Sequence, residues 1–221
     1  MISIFQFFVR FTAWPAYFFC VRNKVHYEDK KEQSRKIKGS AIIISNHTSV
    51  YDFAVMLFTF PFRTLRYLIA EILMNKKNLG RFLRWLGGIK VDRDSFNFDF
   101  VGKSLDILDK NGVVGVFPES RIPVEGEERP LPFKPSAAYI AYLSGKPIIP
   151  VYTMGSYFNK KRNHTIIGKQ IDVNEIIDNN LSEKENIDKI NTVLRERIIE
   201  LGEKLREKLA NKKRKKDKKE A

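Results

Sequence analysis

The chain has a single cysteine, Cys20, in 221 residues. That excludes an intrachain disulfide and fits a reducing compartment. Histidine is scarce too. His26, His47 and His164 are scattered, and no Cys/His cluster has the spacing of a zinc site, so no metal is expected. No acid precedes Glu28, and Arg10 and Pro15 interrupt the apolar residues 1–21. No uninterrupted apolar run therefore reaches the ~18 residues of a spanning helix. No basic region precedes that stretch, which argues against a secretory signal. There is no internal repeat.

Basic and aromatic residues are abundant. The formal net charge is +14 and there are 17 phenylalanines. Residues 211–221 carry seven Lys/Arg against two acids, so most of the excess lies elsewhere. Such an excess implies an anionic partner: an anionic membrane surface, nucleic acid or an acidic protein. No nucleic-acid-binding module is recognisable, and no nucleic-acid partner is expected. Residues 1–27 read as a membrane-associating helical segment, either one helix or two short ones broken near Pro15. Trp14 and Tyr17 suit the membrane interface. A helix packed in the core is the competing reading. Residues 28–210 read as one domain and residues 211–221 as a disordered basic tail.

Within that domain, short apolar runs alternate with helical patterns. Strands are expected at 41–45, 66–70, 88–91, 113–117, 147–152 and 164–167. Helices are expected at 50–60, 79–86, 95–110 and 135–144. The alternation predicts an α/β fold with a largely parallel sheet flanked by helices. From Glu183 onward Ile187, Ile190, Leu194, Ile198, Leu201, Leu205 and Leu209 recur every three or four residues, predicting a C-terminal amphipathic helix.

The stretch Asn46-His47-Thr48-Ser49-Val50-Tyr51-Asp52 follows the first apolar run. A histidine takes a proton near neutral pH, and an aspartate on its far nitrogen fixes the tautomer and stabilises the imidazolium. Five residues apart on one helix, His47 and Asp52 would not share a face. They meet if His47 lies in the turn before the helix and Asp52 in its first turn, with Thr48 or Ser49 as N-cap. A surface histidine and a capping aspartate are the bland alternative. No serine or cysteine is an obvious partner, so the nucleophile is expected from a substrate. Three later stretches follow: Gly87-Gly88-Ile89-Lys90-Val91-Asp92-Arg93, Phe117-Pro118-Glu119-Ser120-Arg121 and Pro147-Ile148-Ile149-Pro150-Val151.

In this order the four stretches resemble the blocks of the glycerolipid acyltransferase family, most closely its bacterial 1-acylglycerol-3-phosphate acyltransferases. Leu131-Pro132-Phe133-Lys134 adds to the likeness. Ser120 stands where the family usually has glycine, and Arg121 follows Glu119 by two positions where many members have three. The resemblance implies an α/β acyltransferase that uses no bound cofactor. It would move an acyl group from acyl-CoA or acyl-ACP (the acyl carrier protein) to a lysophospholipid acceptor. His47 would be the general base, oriented by Asp52, with backbone N–H groups at the following helix start as oxyanion donors. Lys90, Arg93, Glu119, Ser120 and Arg121 would bind the acceptor, and the expected location is the cytoplasmic face of the cell membrane. The altered Glu119-Ser120-Arg121 block leaves open another lysophospholipid or glycerol 3-phosphate as acceptor. A basic peripheral protein without catalysis is the non-enzyme alternative.

Overall fold

A computed structural model describes residues 1–92, 98–155, 157–158 and 161–220. Its centre is a seven-stranded sheet. In chain order the strands are β1 (Lys24–Tyr27), β2 (Ala41–Ser45), β3 (Leu65–Ala70), β4 (Ile89–Val91), β5 (Val113–Val116), β6 (Ile148–Thr153) and β7 (His164–Ile167). The spatial order is β1-β7-β6-β2-β5-β3-β4. All pairings are parallel except β6 with β7. Every residue of β2 is buried, as a central strand covered on both faces requires. Ile42 and Ile44 pack on one side with α5 (Asp99–Asp109), α6 (Ser136–Ser144) and α7 (Glu183–Glu220). Ile43 packs on the other with Val55, Met56 and Phe60, in and just after α2 (Asp52–Thr59).

Two boundaries differ from the sequence reading. Residues 24–27 do not belong to a helical segment; they form β1, which pairs with β7 in register Lys24↔His164. A four-residue strand whose partner lies some 140 positions later leaves no local periodicity to find. The second difference is the C-terminus. The Ile190, Leu194, Ile198, Leu201 and Leu205 stripe is buried as expected, but α7 continues through residues 211–220 where disorder was expected. Lys, Arg and Glu are good helix formers, and extending an existing helix avoids the cost of a new nucleus. Lysines in the last turns also complement the helix dipole.

The N-terminal helix α1 (Ile2–Ala16) passes through Pro15 and continues as a π-helical turn, Tyr17–Val21. Ile2–Val21 is long and apolar enough to cross a membrane, and almost none of it is buried. Ile4, Phe7, Phe8, Phe11, Trp14, Phe18 and Phe19 are exposed, so this is not a core helix. Two polar side chains fasten it. Gln6 Nε2 donates to the carbonyls of Leu65 and Leu86, at 2.6 and 2.8 Å. Arg10 donates to those of Leu57 and Arg63, at 3.0 and 2.7 Å. Phe5 packs edge-on against Phe82 and Trp85 of α4 (Lys77–Trp85), which follows the short α3 (Glu71–Met74).

Candidate active site

At the carboxyl end of β2 the chain turns sharply. Asn46 clasps the neighbouring strand, donating to the Thr153 carbonyl at 2.9 Å and accepting from the Thr153 N–H at 2.8 Å. The backbone N–H of His47 donates to Glu119 Oε1 at 2.7 Å, and Glu119 Oε2 accepts from Leu131 N–H at the same distance. Glu119 is buried, and burial pushes its carboxyl above the usual range against the pull of these donors.

Asp52 opens α2 and folds back over the turn. Its Oδ2 lies 2.9 Å from His47 Nδ1 and accepts the N–H groups of Thr48 and Ser49 at 2.5 and 2.8 Å. Its Oδ1 accepts Thr48 Oγ1 at 2.8 Å and Tyr157 Oη at 2.6 Å. The carboxylate thus accepts five hydrogen bonds while its side chain is 0% exposed. Such satisfaction is what allows a charge to sit inside a protein. Neither Thr48 nor Ser49 caps α2: its N-cap is Tyr51, with no side-chain cap bond, and Asp52 instead ties down the turn before the helix. The N–H groups of Thr48 and Ser49 are committed to Asp52, which removes these two from the backbone donors expected to face an oxyanion near the helix start. Gly155 makes room for the arrangement: φ is +72°, and a Cβ there would lie 2.4 Å from Thr48 Oγ1.

The imidazole itself is held by stacking. The rings of His47 and Phe117 lie 4.6 Å apart and 16° from parallel, and Phe117 stacks on Tyr67 at 5.1 Å. Gly115 permits this column, since a Cβ there would meet the Tyr67 ring at 2.2 Å. With Nδ1 turned to Asp52, Nε2 is the nitrogen left for a ligand. A cleft of about 220 Å³ opens beside it, lined by His47, Thr48, Glu119, Arg129, Tyr152 and Arg206 among others. Among the described lining residues Thr48 is the one aliphatic hydroxyl, and it is bonded to Asp52. Cys20 is exposed on the π-helical turn. The cleft thus offers a supported imidazole and two cations, without an obvious nucleophile among its described lining residues.

The structure brings His47, Asp52 and Glu119 together, while Lys90, Ser120 and Arg121 are not among the residues lining their cleft. Ser120 sits at φ 61°, with its N–H on the Phe117 carbonyl at 3.0 Å. It shapes the turn after β5 and does not line the cleft. Arg121 is drawn into its own loop by a two-pronged pair with Glu127, at 2.7 and 2.6 Å. That pair and the Val124 N–H hold the Glu127 carboxyl down to about 2. Lys90 pairs with Glu71 at 2.6 Å and lines a separate cleft with Arg66, Arg84 and Lys103. Arg93 lies outside the described residues. Sequence reasoning missed Tyr157, the Phe117 stack, Arg129 and Arg206. Arg129 had one signal, its place in the charged loop after Glu119. Tyr157 had none.

A family model described as Acyltransferase matches residues 22–154. The 1-acyl-sn-glycerol-3-phosphate acyltransferase of Bacillus subtilis is 26% identical over 146 residues, covering 64% of this chain and 70% of that protein. The crystal structure of the 1-acyl-sn-glycerophosphate acyltransferase of Thermotoga maritima shares the fold. Its TM-score is 0.57 at 17% identity, over 91% of this chain and 95% of that one. The family match spans both the His47 turn and the Glu119 turn, and the chain belongs to the acyltransferase family.

Proposed function

We propose that this acyltransferase moves a fatty acyl group from a thioester, acyl-CoA or acyl-ACP, to the free hydroxyl of 1-acylglycerol-3-phosphate, forming phosphatidate. The observation that carries the reading is the His47–Asp52 pair, buried on the aspartate side and open to a cleft on the other. His47 Nε2 removes the acceptor's hydroxyl proton as that oxygen attacks the thioester carbonyl. Asp52 fixes the ring and balances the imidazolium charge. The C–S bond then breaks, and the proton on Nε2 passes to the departing thiolate. No acyl-enzyme forms, in keeping with a cleft whose one aliphatic hydroxyl among the described lining residues, Thr48, is bonded to Asp52.

The acceptor's phosphate requires a cation. Arg129 and Arg206 line the cleft, whereas Arg121 is already satisfied by Glu127. Arg206 donates to Tyr152 Oη at 2.9 Å, whereas Arg129 makes a long contact to the Pro123 carbonyl at 3.5 Å, so Arg129 is assigned the phosphate. Glu119 holds the His47 backbone in place. Lys90 and Arg121 remain candidates for a wider acceptor surface, with Arg93 and Ser120 beside them in sequence.

The lipid's route is supported by the exposed aromatic face of α1. Phe158 N–H donates to the Cys20 carbonyl at 3.0 Å, and the Phe158 ring meets Tyr51 edge-on at 4.6 Å. Exposed apolar surface therefore runs from the N-terminal segment to the residue preceding α2. We assign that face to the cytoplasmic leaflet of the cell membrane, with the basic surface toward anionic headgroups. A panel of acceptors with one labelled acyl donor tests the substrate. We expect preference for 1-acylglycerol-3-phosphate, and Arg129→Ala should raise KM for it about tenfold or more, as expected for losing one charge-assisted contact. Equal turnover of an acceptor without phosphate would reject the assignment.

A further inference from the structure

The inner stripe of α7 changes character along its length. Leu201 and Leu205 pack on Ile166 of β7. Leu209 ends the apolar stripe, partly buried on the same cluster, and exposed Lys208 and Lys212 flank it one and two turns beyond Leu205. There α7 runs along β1, with Lys208 at Tyr27, the last residue of the strand, and Lys212 at Lys24, the first, which stands in register with His164. Lys208 Nζ is anchored on the Tyr27 carbonyl at 2.9 Å. His26 Nε2 and His164 Nδ1 lie 2.9 Å apart, so the two rings share one hydrogen bond.

Burial is the first cause that disfavours charge on both rings; His164, Lys208, Lys24 and Lys212 add to it at His26, and Lys24, Arg162 and Lys212 at His164. Lys24 itself is disfavoured as a cation chiefly by Lys212, with Arg162 and Lys30 adding to the effect. The nearby carboxylate, Glu28, is occupied by Arg197, Lys204 and the Lys169 N–H. Like charges have thus been brought together by the docking of a helix on a sheet edge. Such an arrangement is stable when an anion completes it.

We propose that this corner, formed by Lys24, His26, Arg162, His164, Lys208 and Lys212, is a binding site for a phosphate-bearing ligand. Its position admits two sources of the same chemistry. Met154 N–H donates to the His164 carbonyl at 3.0 Å, and Met154 also lines the His47 cleft, so a nucleotide phosphate of the thioester donor is within range. Lys24 follows the apolar N-terminal helix by three residues, so an acidic phospholipid headgroup is the other source. The site goes beyond the acyl-transfer reading, because it is measured by binding and needs no turnover.

The test uses the full chain and two probes: adenosine 3′,5′-bisphosphate, and vesicles of phosphatidylglycerol in phosphatidylcholine against phosphatidylcholine alone. We expect Lys208→Gln/Lys212→Gln to weaken binding at least about tenfold. The tail control Lys215→Gln/Lys218→Gln should change it far less. Bound phosphate should also move the His26 titration upward, read from its ring proton by NMR. Binding of the nucleotide alone assigns the site to the donor; binding of acidic vesicles alone assigns it to a headgroup. Binding of neither probe overturns the proposal. Equal loss in both double variants, or a His26 titration that stays in place on binding, also overturns it by reducing the effect to diffuse charge.

Discussion

His47 faces a buried carboxylate; His26 faces another histidine and a ring of cations. Both lie at the same end of the sheet, since the last residue of β6 pairs with Thr165 next to His164. The first site is closed on its support side, with five hydrogen bonds converging on Asp52 from the turn, the imidazole and Tyr157. The second gathers positive charge, and Glu28, the carboxylate next to Tyr27, is paired with Arg197 and Lys204. A positive charge formed on His47 is balanced from within the fold, whereas one formed on His26 requires an anion from outside. The role of each histidine is thus set by what the fold places on its far side.

Breaking the closed site has the largest expected effect. Asp52→Asn keeps the shape but loses the negative charge and the tautomer it selects. Acyl transfer should fall about 10²–10⁴-fold, measured as initial rate with protein of unchanged circular dichroism. Tyr157→Phe removes one of the five bonds and leaves four. It should cost about 1.5–3 kcal/mol of stability, the range for a hydrogen bond to a charged group, read as a lower urea midpoint. A smaller loss of activity than in Asp52→Asn should accompany it.

The open site predicts a pH effect of known sign. Burial, with His164 and the lysines adding to it, lowers the folded-state pKa of His26 from 6.5 to about 4. The unfolded chain therefore binds more protons between those values. The stability held by the neutral pair is full above about pH 6.5 and is lost as pH falls toward 4. The urea midpoint should drop between pH 7 and 5, and His26→Gln should flatten that drop. An unchanged slope would remove the contrast between the two sites.

Much of this was legible in the sequence because it is local. β2 and β5 are short apolar runs ending in residues with chemistry, and the Asn46–Asp52 spacing permits the turn that forms. The α7 stripe has a helical period over more than twenty residues. What escaped was nonlocal or competitive. Tyr157 reaches Asp52 across 105 positions, and nothing in its neighbours marks it. Arg121 could be read as a phosphate ligand because its partner Glu127 is six residues on, in a loop whose conformation the sequence does not specify. Charge density suggested disorder for residues 211–221, where helix propensity and continuity with α7 prevailed.

The central claim is that His47 is the base of acyl transfer. The most direct measurement compares wild type with His47→Ala for transfer from a labelled long-chain thioester to 1-acylglycerol-3-phosphate, with melting curves of both proteins. The account predicts product from the wild type, and a loss of about 10²–10⁴-fold in the variant while its melting transition persists. Turnover retained in a folded His47→Ala protein would contradict it.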